Sequence, residues 1–375
     1  MDAQQLIESI RPLVDDGEVP GAVVGVLQGG QASVAAVGTT VPGGAIALPV
    51  DAVMRISSNT KPMVAAVALL LVQDGVLHLD DSIEAFIPEL TGRRVLRRLD
   101  GPLDDTLSAQ RPITIEDLLT MRMGFGFVFE SDCPAVEAAV AAGLGFGPPD
   151  PSAVLAPADW ITRFASLPLL EQPGTVWRYE LAYAVLGVVL ARASGKPLDL
   201  LMRERLFTPL MMSQTAFVCA SGHLVPSFAR GEDGLDLFDS DQESRWSIPP
   251  AFPDARGGLV STVGDMLQFA RMLLEDGGGL LSPELAAAMT SDHLTAEQRF
   301  GPSAQVFLNG DGWGYGVGVA HGKLGRRYGW GGGLGTLWYT WPDHDTAVML
   351  MTQVLPPSPA LFNTFTEAGE GSLTY

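Results

Sequence analysis

Apolar positions recur along this chain with two different periods, and the period changes from one end to the other. Leu6, Ile10, Leu13 and Val14 share one helical stripe between Gln4 and Asp16, and Gly17 follows as a stop. Pro12 interrupts that stripe, so a kink or a late start is expected. Two strand-like runs follow, Ala22–Gln28 and Ala32–Val37, with Gly29-Gly30 between them as a hairpin turn. From Ser58 to Gln73 the pattern is apolar on nearly every face, through Met63, Val64, Val67, Leu69, Leu70, Leu71 and Val72, until Asp74-Gly75 ends it. A helix apolar all round is a buried one. To about Asp254 the pattern stays mainly helical among Pro/Gly loops. Thr114 and Asp117 cap a short helix, Ile115 to Met121, and another helix runs from Leu181 to Ala193 before Gly195. Thr262 and Asp265 cap one more, ending at Gly277. After Gly312 the period shortens, and Tyr315–Ala320, Gly335–Trp341 and Thr346–Thr352 read as strands, before a last helix over Ala360–Ala368.

Strands at both ends with helices between them predict an α/β (α+β) fold. An antiparallel sheet built from both chain ends is flanked by helices, and the middle of the chain makes an all-helical lobe. The expected division is residues 1–60 with 255–375 for the sheet and 61–254 for the helical part. The site is expected in the cleft between them.

Composition narrows the partners. The 375 residues are 47% hydrophobic and 18% charged, as in a soluble globular chain with a sizeable core. A formal net charge of −20 repels phosphate backbones and argues against nucleic acid. No run of about 18 apolar residues suggests a membrane span. No basic n-region or signal-length apolar run opens the sequence, so a cytoplasmic location is expected. Cys133 and Cys219 lack metal-ligand spacing, and neither H-E-x-x-H nor paired C-x-x-C occurs, so neither metal nor cofactor is expected. G-x-S-x-G is absent, and the five histidines, at 78, 223, 293, 321 and 344, lie in no nucleophile motif.

What remains is Ser58-Asn59-Thr60-Lys61-Pro62, in a chain with only three lysines, Lys61, Lys196 and Lys323. Residues i and i+3 share a helix face, so Lys61 Nζ can reach Ser58 Oγ. Ser58 sits at the helix start, where backbone N–H groups favour negative charge. Burial in an apolar helix disfavours a charged ammonium, which suits a lysine to general-base work. The same pair also fits an N-cap serine and a snorkelling lysine. The surrounding helix, the most apolar of the chain, favours chemistry.

Arg55-Ile56-Ser57-Ser58-Asn59-Thr60-Lys61-Pro62 resembles the first motif of the serine β-lactamase and penicillin-binding-protein superfamily. Pro173-Gly174-Thr175-Val176-Trp177-Arg178-Tyr179 resembles the segment that delivers the tyrosine of its Y-x-N motif, and Tyr328-Gly329-Trp330-Gly331-Gly332-Gly333 resembles its third motif, on a strand beside the nucleophile. In detail the chain is most similar to the family VIII carboxylesterases, close to class C β-lactamases. The resemblance implies a serine β-lactamase-like fold and an acyl-enzyme on Ser58. It implies proton transfer shared by Lys61 and Tyr179, and an oxyanion hole from the N–H groups of Ser58 and Gly333.

Two departures bear on substrate. Leu181 stands where Y-x-N has asparagine, and Trp330 stands where many lactamases have the lysine that holds a substrate carboxylate. Arg326 or Arg327 either substitutes for that lysine or is a solvated charge. Substrate contacts are expected from Trp330, Gly331, Gly332, Leu181 and Phe125. Phe125, Phe127 and Phe129 either line an acyl or alcohol pocket or bury themselves under their loop. The expected function is a carboxylesterase cleaving short-chain or aryl esters. The alternatives are a class C-like β-lactamase, a D-amino-acid peptidase or amide hydrolase, an acyltransferase, and a slowly turning over penicillin-binding protein.

Overall fold

The computed structural model describes residues 1–219 and 224–374, so His223 lies outside the described residues. Seven strands form the main sheet: β1 Gly21–Gln28, β2 Gln31–Gly38, β3 Gly312–Trp313, β4 Gly318–Gly322, β5 Gly325–Gly332, β6 Thr336–Trp341 and β7 Thr346–Met351. Their order is β2-β1-β7-β6-β5-β4-β3, antiparallel throughout. The two chain ends meet where β1 pairs with β7, Val23 opposite Met351 and Val26 opposite Val348.

This sheet is buried on both faces, which is why β1 and β7 read as continuous apolar runs. Val24, Val26, Val348 and Leu350 face the helices Ala3–Asp15 and Pro359–Gly371. Val23, Leu27, Met349 and Met351 face the larger core, which includes the helix Val263–Leu274. Each such side chain contributes about 1.5–3 kcal/mol by burial. The N-terminal helix begins at Ala3 in a capping box between Asp2 and Gln5, and it runs on past Pro12 to Asp15.

The central helix occupies Thr60–Gln73, and every residue from Thr60 to Leu71 is buried. Ser58 does not open it as the pattern suggests. A single 3-10 turn, Ser57–Asn59, comes first, a common way for a helix to tighten at its start. The short strand Met54–Arg55, paired with Val260–Ser261, leads into that turn. Both expected caps are present: Thr114 accepts from Asp117 N and Thr262 from Asp265 N.

Three segments differ from the pattern. Tyr315–Ala320 is not one strand. It bends at Gly316, where φ is +82° and a Cβ would come within 2.9 Å of the Lys61 carbonyl. The middle of the chain, besides its helices, carries two short hairpins, Arg94–Leu96 with Thr106–Ser108 and Ser227–Gly231 with Gly234–Asp239. The second hairpin takes a parallel partner, Val354–Leu355, from the C-terminal part, so the two parts of the chain interlock there. Among the described residues no helix is long and apolar enough to cross a membrane.

Candidate active site

The 3-10 turn of Ser57–Asn59 is tied to the sheet through one threonine. Thr336 Oγ1 of β6 donates to the Ile56 carbonyl at 3.0 Å and accepts from Asn59 Nδ2 at 3.0 Å. β5 passes so near that a Cβ on Gly332 would clash with both the Ile56 carbonyl and Thr336 Oγ1. The glycine run therefore serves close approach. It brings Gly333, just past the strand, beside Ser57, and Ser58 and Gly333 line one cleft.

Within that turn Lys61 Nζ lies 2.9 Å from Ser58 Oγ. Lys61 is fully buried and Ser58 is 9% exposed. Two further acceptors hold the amine, the Arg256 carbonyl at 2.7 Å and Glu180 Oε2 at 3.4 Å, and the Tyr179 ring centroid lies 4.4 Å away. Three oxygens, those of Ser58, the Arg256 carbonyl and Glu180, thus surround the amine and fix it against the serine hydroxyl. That geometry suits removal of the serine proton.

Tyr179 follows Arg178, which bridges Glu130 and Glu171 and donates to the Phe127 carbonyl at 3.0 Å. Phe127 N donates in turn to the Tyr179 carbonyl. The aromatic loop and the Tyr179 segment are thus fixed to each other. Burial disfavours the charge on Arg178, yet its two carboxylate partners more than compensate and hold the guanidinium above its ordinary value. Tyr179 Oη accepts from Trp330 Nε1 at 2.8 Å.

A cavity of about 300 Å³ opens over Ser58. Five aromatic rings line it, those of Phe127, Tyr179, Phe307, Trp330 and Phe362, and no arginine or lysine is among its lining residues. A larger cavity, about 490 Å³, lies between Ala156–Ala158, Gly187–Arg192 and Pro250–Pro253. It holds neither Ser58 nor Lys61, so size is a poor guide here, and the smaller cleft is the candidate site. Among the described residues no cluster of His, Cys, Asp and Glu could hold a metal ion.

The structure brings Ser58, Lys61, Tyr179, Trp330, Gly331, Gly332 and Gly333 together. It does not bring Phe125 or Leu181 to the cleft, contrary to expectation. Phe125 is 1% exposed and packs edge-on against Phe164, 5.3 Å between centroids; Leu181 is fully buried in the core. Of the aromatic loop only Phe127 reaches the cavity. Neither arginine replaces the missing lysine. Arg326 donates to Thr290, and Arg327 lies over Tyr339 and pairs with Glu370. The pattern did not flag Glu180, Arg256, Phe307 or Phe362. Glu180 carried a signal, an acid beside the motif tyrosine, whereas the others are assembled by the fold from distant segments.

A family model described as Beta-lactamase matches residues 6–370. The chain belongs to the β-lactamase family of serine hydrolases. Of the relatives of this family member, the Mycobacterium tuberculosis protein Rv1367c (strain ATCC 25618 / H37Rv) is 35% identical over 367 residues, covering 93% of this chain and 89% of its own length. Esterase EstB of Burkholderia gladioli is 28% identical over 351 residues, covering 86% and 80%. Among solved structures, EstCE1, a hydrolase with promiscuous acyltransferase activity, superposes with a TM-score of 0.82 at 22% identity, over 98% of this chain and 97% of its own. That last likeness is one of fold.

Proposed function

We propose that this β-lactamase family member is a carboxylesterase of the family VIII kind, acting on uncharged esters with apolar acyl groups through an acyl-enzyme on Ser58. The observation that carries the reading is the cleft itself. Lys61 Nζ stands 2.9 Å from Ser58 Oγ under five aromatic rings, with Trp330 where a carboxylate-binding cation would stand. A lining that is mostly aromatic, carries the Glu180 carboxylate and holds no cation desolvates a charged β-lactam and offers its carboxylate no partner. A neutral ester loses little on entering.

In the proposed reaction Ser58 Oγ attacks the ester carbonyl carbon while Lys61, with Tyr179 beside it, takes the hydroxyl proton. The N–H groups of Ser58 and Gly333 stabilise the tetrahedral oxyanion. The C–O bond to the alcohol breaks, and the alcohol leaves with the proton. Water then repeats the sequence on the acyl-enzyme and releases the acid. An added alcohol that takes the place of water makes the same site an acyltransferase, a reading supported by the activity stated for the similarly folded EstCE1.

The test is turnover of p-nitrophenyl acetate, butyrate and octanoate beside nitrocefin, for the natural chain and Ser58→Ala. Fast ester turnover that Ser58→Ala removes without lowering the melting temperature supports the proposal. Dominant nitrocefin turnover, or hydrolysis that survives in Ser58→Ala, overturns it. A transesterified product with added 1-butanol marks the acyltransferase branch.

A further inference from the structure

Four charged groups alternate in sign along a buried line beneath the cleft. Lys61 meets Glu180, Glu180 lies 3.9 Å from Arg256 Nη1, and Arg256 is held by Asp254 at 2.7 Å. The Glu180 side chain is 5% exposed, and its two oxygens do different things. Oε2 faces the Lys61 amine at 3.4 Å, whereas Oε1 accepts from Gly147 N at 2.9 Å. Arg256 Nη1 donates to the Gly145 carbonyl at 2.7 Å. Gly145 and Gly147 have φ of +69° and +89°, and the stretch has no helix or strand of its own. Gly147 and Pro148 nevertheless form part of the cleft wall. Two backbone hydrogen bonds of that stretch both end on the Glu180–Arg256 pair, and the Phe146 ring packs against Phe127.

We infer that Glu180 is a positioning residue with two roles. It orients the Lys61 amine toward Ser58, and it pins the Gly145–Pro148 loop that shapes the substrate cleft. The inference rests on the assignment of Ser58 and Lys61 proposed above. One carboxylate then couples activation of the nucleophile to the shape of the pocket. Glu180 is the only carboxylate within ion-pair distance of Lys61 among the described residues. The other charges facing Lys61 are Asp254, which acts on it through space, and the Arg256 guanidinium beyond Glu180. The central helix carries no second charge, and the Tyr179 ring lies beside the amine.

Two substitutions separate these roles. Glu180→Gln keeps an oxygen for Gly147 but removes the charge. Glu180→Asp keeps the charge but falls one methylene short of Gly147. Loss of a facing anion makes Lys61 or Tyr179 give up a proton more readily. For Glu180→Gln the acid limb of kcat/KM on p-nitrophenyl butyrate therefore moves down by about 1 pH unit. Its kcat falls about tenfold or more as the amine loses its alignment, with KM little changed. For Glu180→Asp the acid limb stays in place and KM rises about fivefold or more as the loop loosens.

The same variants are labelled with a fluorophosphonate, which reports the reactivity of Ser58 whatever the natural substrate, and circular dichroism and thermal melting verify folding. A Glu180→Gln protein with the labelling rate and pH profile of the natural chain overturns the inference. If Glu180→Gln does not fold, Glu180→Asp decides alone, and an unchanged KM overturns it. Labelling or hydrolysis that survives in Ser58→Ala refutes the nucleophile assignment, and labelling of Ser58 without ester turnover refutes the ester reading. In that last case the labelling rates still test Glu180.

Discussion

Leu181 occupies the place of the Y-x-N asparagine in sequence but not in space. It is fully buried among the apolar residues that open the helix Ala182–Ser194, and it does not line the cleft. Its backbone is helical, φ −63° and ψ −23°, so an amide there is not in the extended conformation from which N-caps reach the first turn. Leu181→Asn therefore places an unpartnered amide in the core. We expect it to cost about 2 kcal/mol of stability by denaturant titration and to leave nitrocefin turnover unraised, because Trp330 still supplies no cation. A rise in nitrocefin hydrolysis with unchanged stability contradicts this placement. The motif was legible as a string, and its tyrosine reaches the cleft. What the string could not show is which of the following residues turns toward the cleft, and here it is Glu180, which meets Lys61.

At the level of elements, the segments legible in the sequence are those whose period or chemistry is local. The central helix announced itself by being apolar on all faces, the first hairpin by Gly29-Gly30 between apolar runs, and two helix starts by Thr114 and Thr262. β5 did not announce itself by pattern. Gly325-Arg326-Arg327-Tyr328-Gly329-Trp330-Gly331-Gly332 has neither alternation nor β-branched residues, and only its resemblance to a known motif marked it as a strand. Its glycines answer a tertiary demand, the approach of β5 to the turn that holds Ser58. Gly332→Ala tests that demand, since the added methyl must displace either Thr336 or the Ile56 carbonyl. We expect a loss of about 1–3 kcal/mol in stability and a clear drop in fluorophosphonate labelling of Ser58. Normal labelling and melting would show that the strand has room to spare.

At the scale of the whole molecule, the site depends on how three distant parts of the chain are fastened behind it. Arg55 lies two residues before the turn of Ser57–Asn59, and its buried guanidinium pairs with Asp239 of the second hairpin while donating to the Val225 carbonyl and to Gln353. Burial pushes the Arg55 charge down and the ion pair pulls it back up, and an arginine under these opposing influences stays charged. Burial likewise pushes the Asp239 carboxyl up, but Ser244, the Arg55 charge and further hydrogen bonds outweigh it and hold the group below its ordinary 3.8. A carboxyl lowered by folding contributes stability that is present above its unfolded value and is lost as pH falls through its folded one. Asp254, buried yet held down by Arg256, acts with the same sign, whereas Asp265, raised by burial, acts with the opposite one. A difference between two proteins isolates Asp239 from the rest. Asp239→Asn leaves a buried guanidinium without its counter-ion and should cost about 3 kcal/mol at pH 7. That gap should narrow as pH falls below about 4, where the natural chain begins to lose the same interaction. A gap that stays constant down to about pH 3 shows that the Arg55–Asp239 pair is not what holds the nucleophile turn in place.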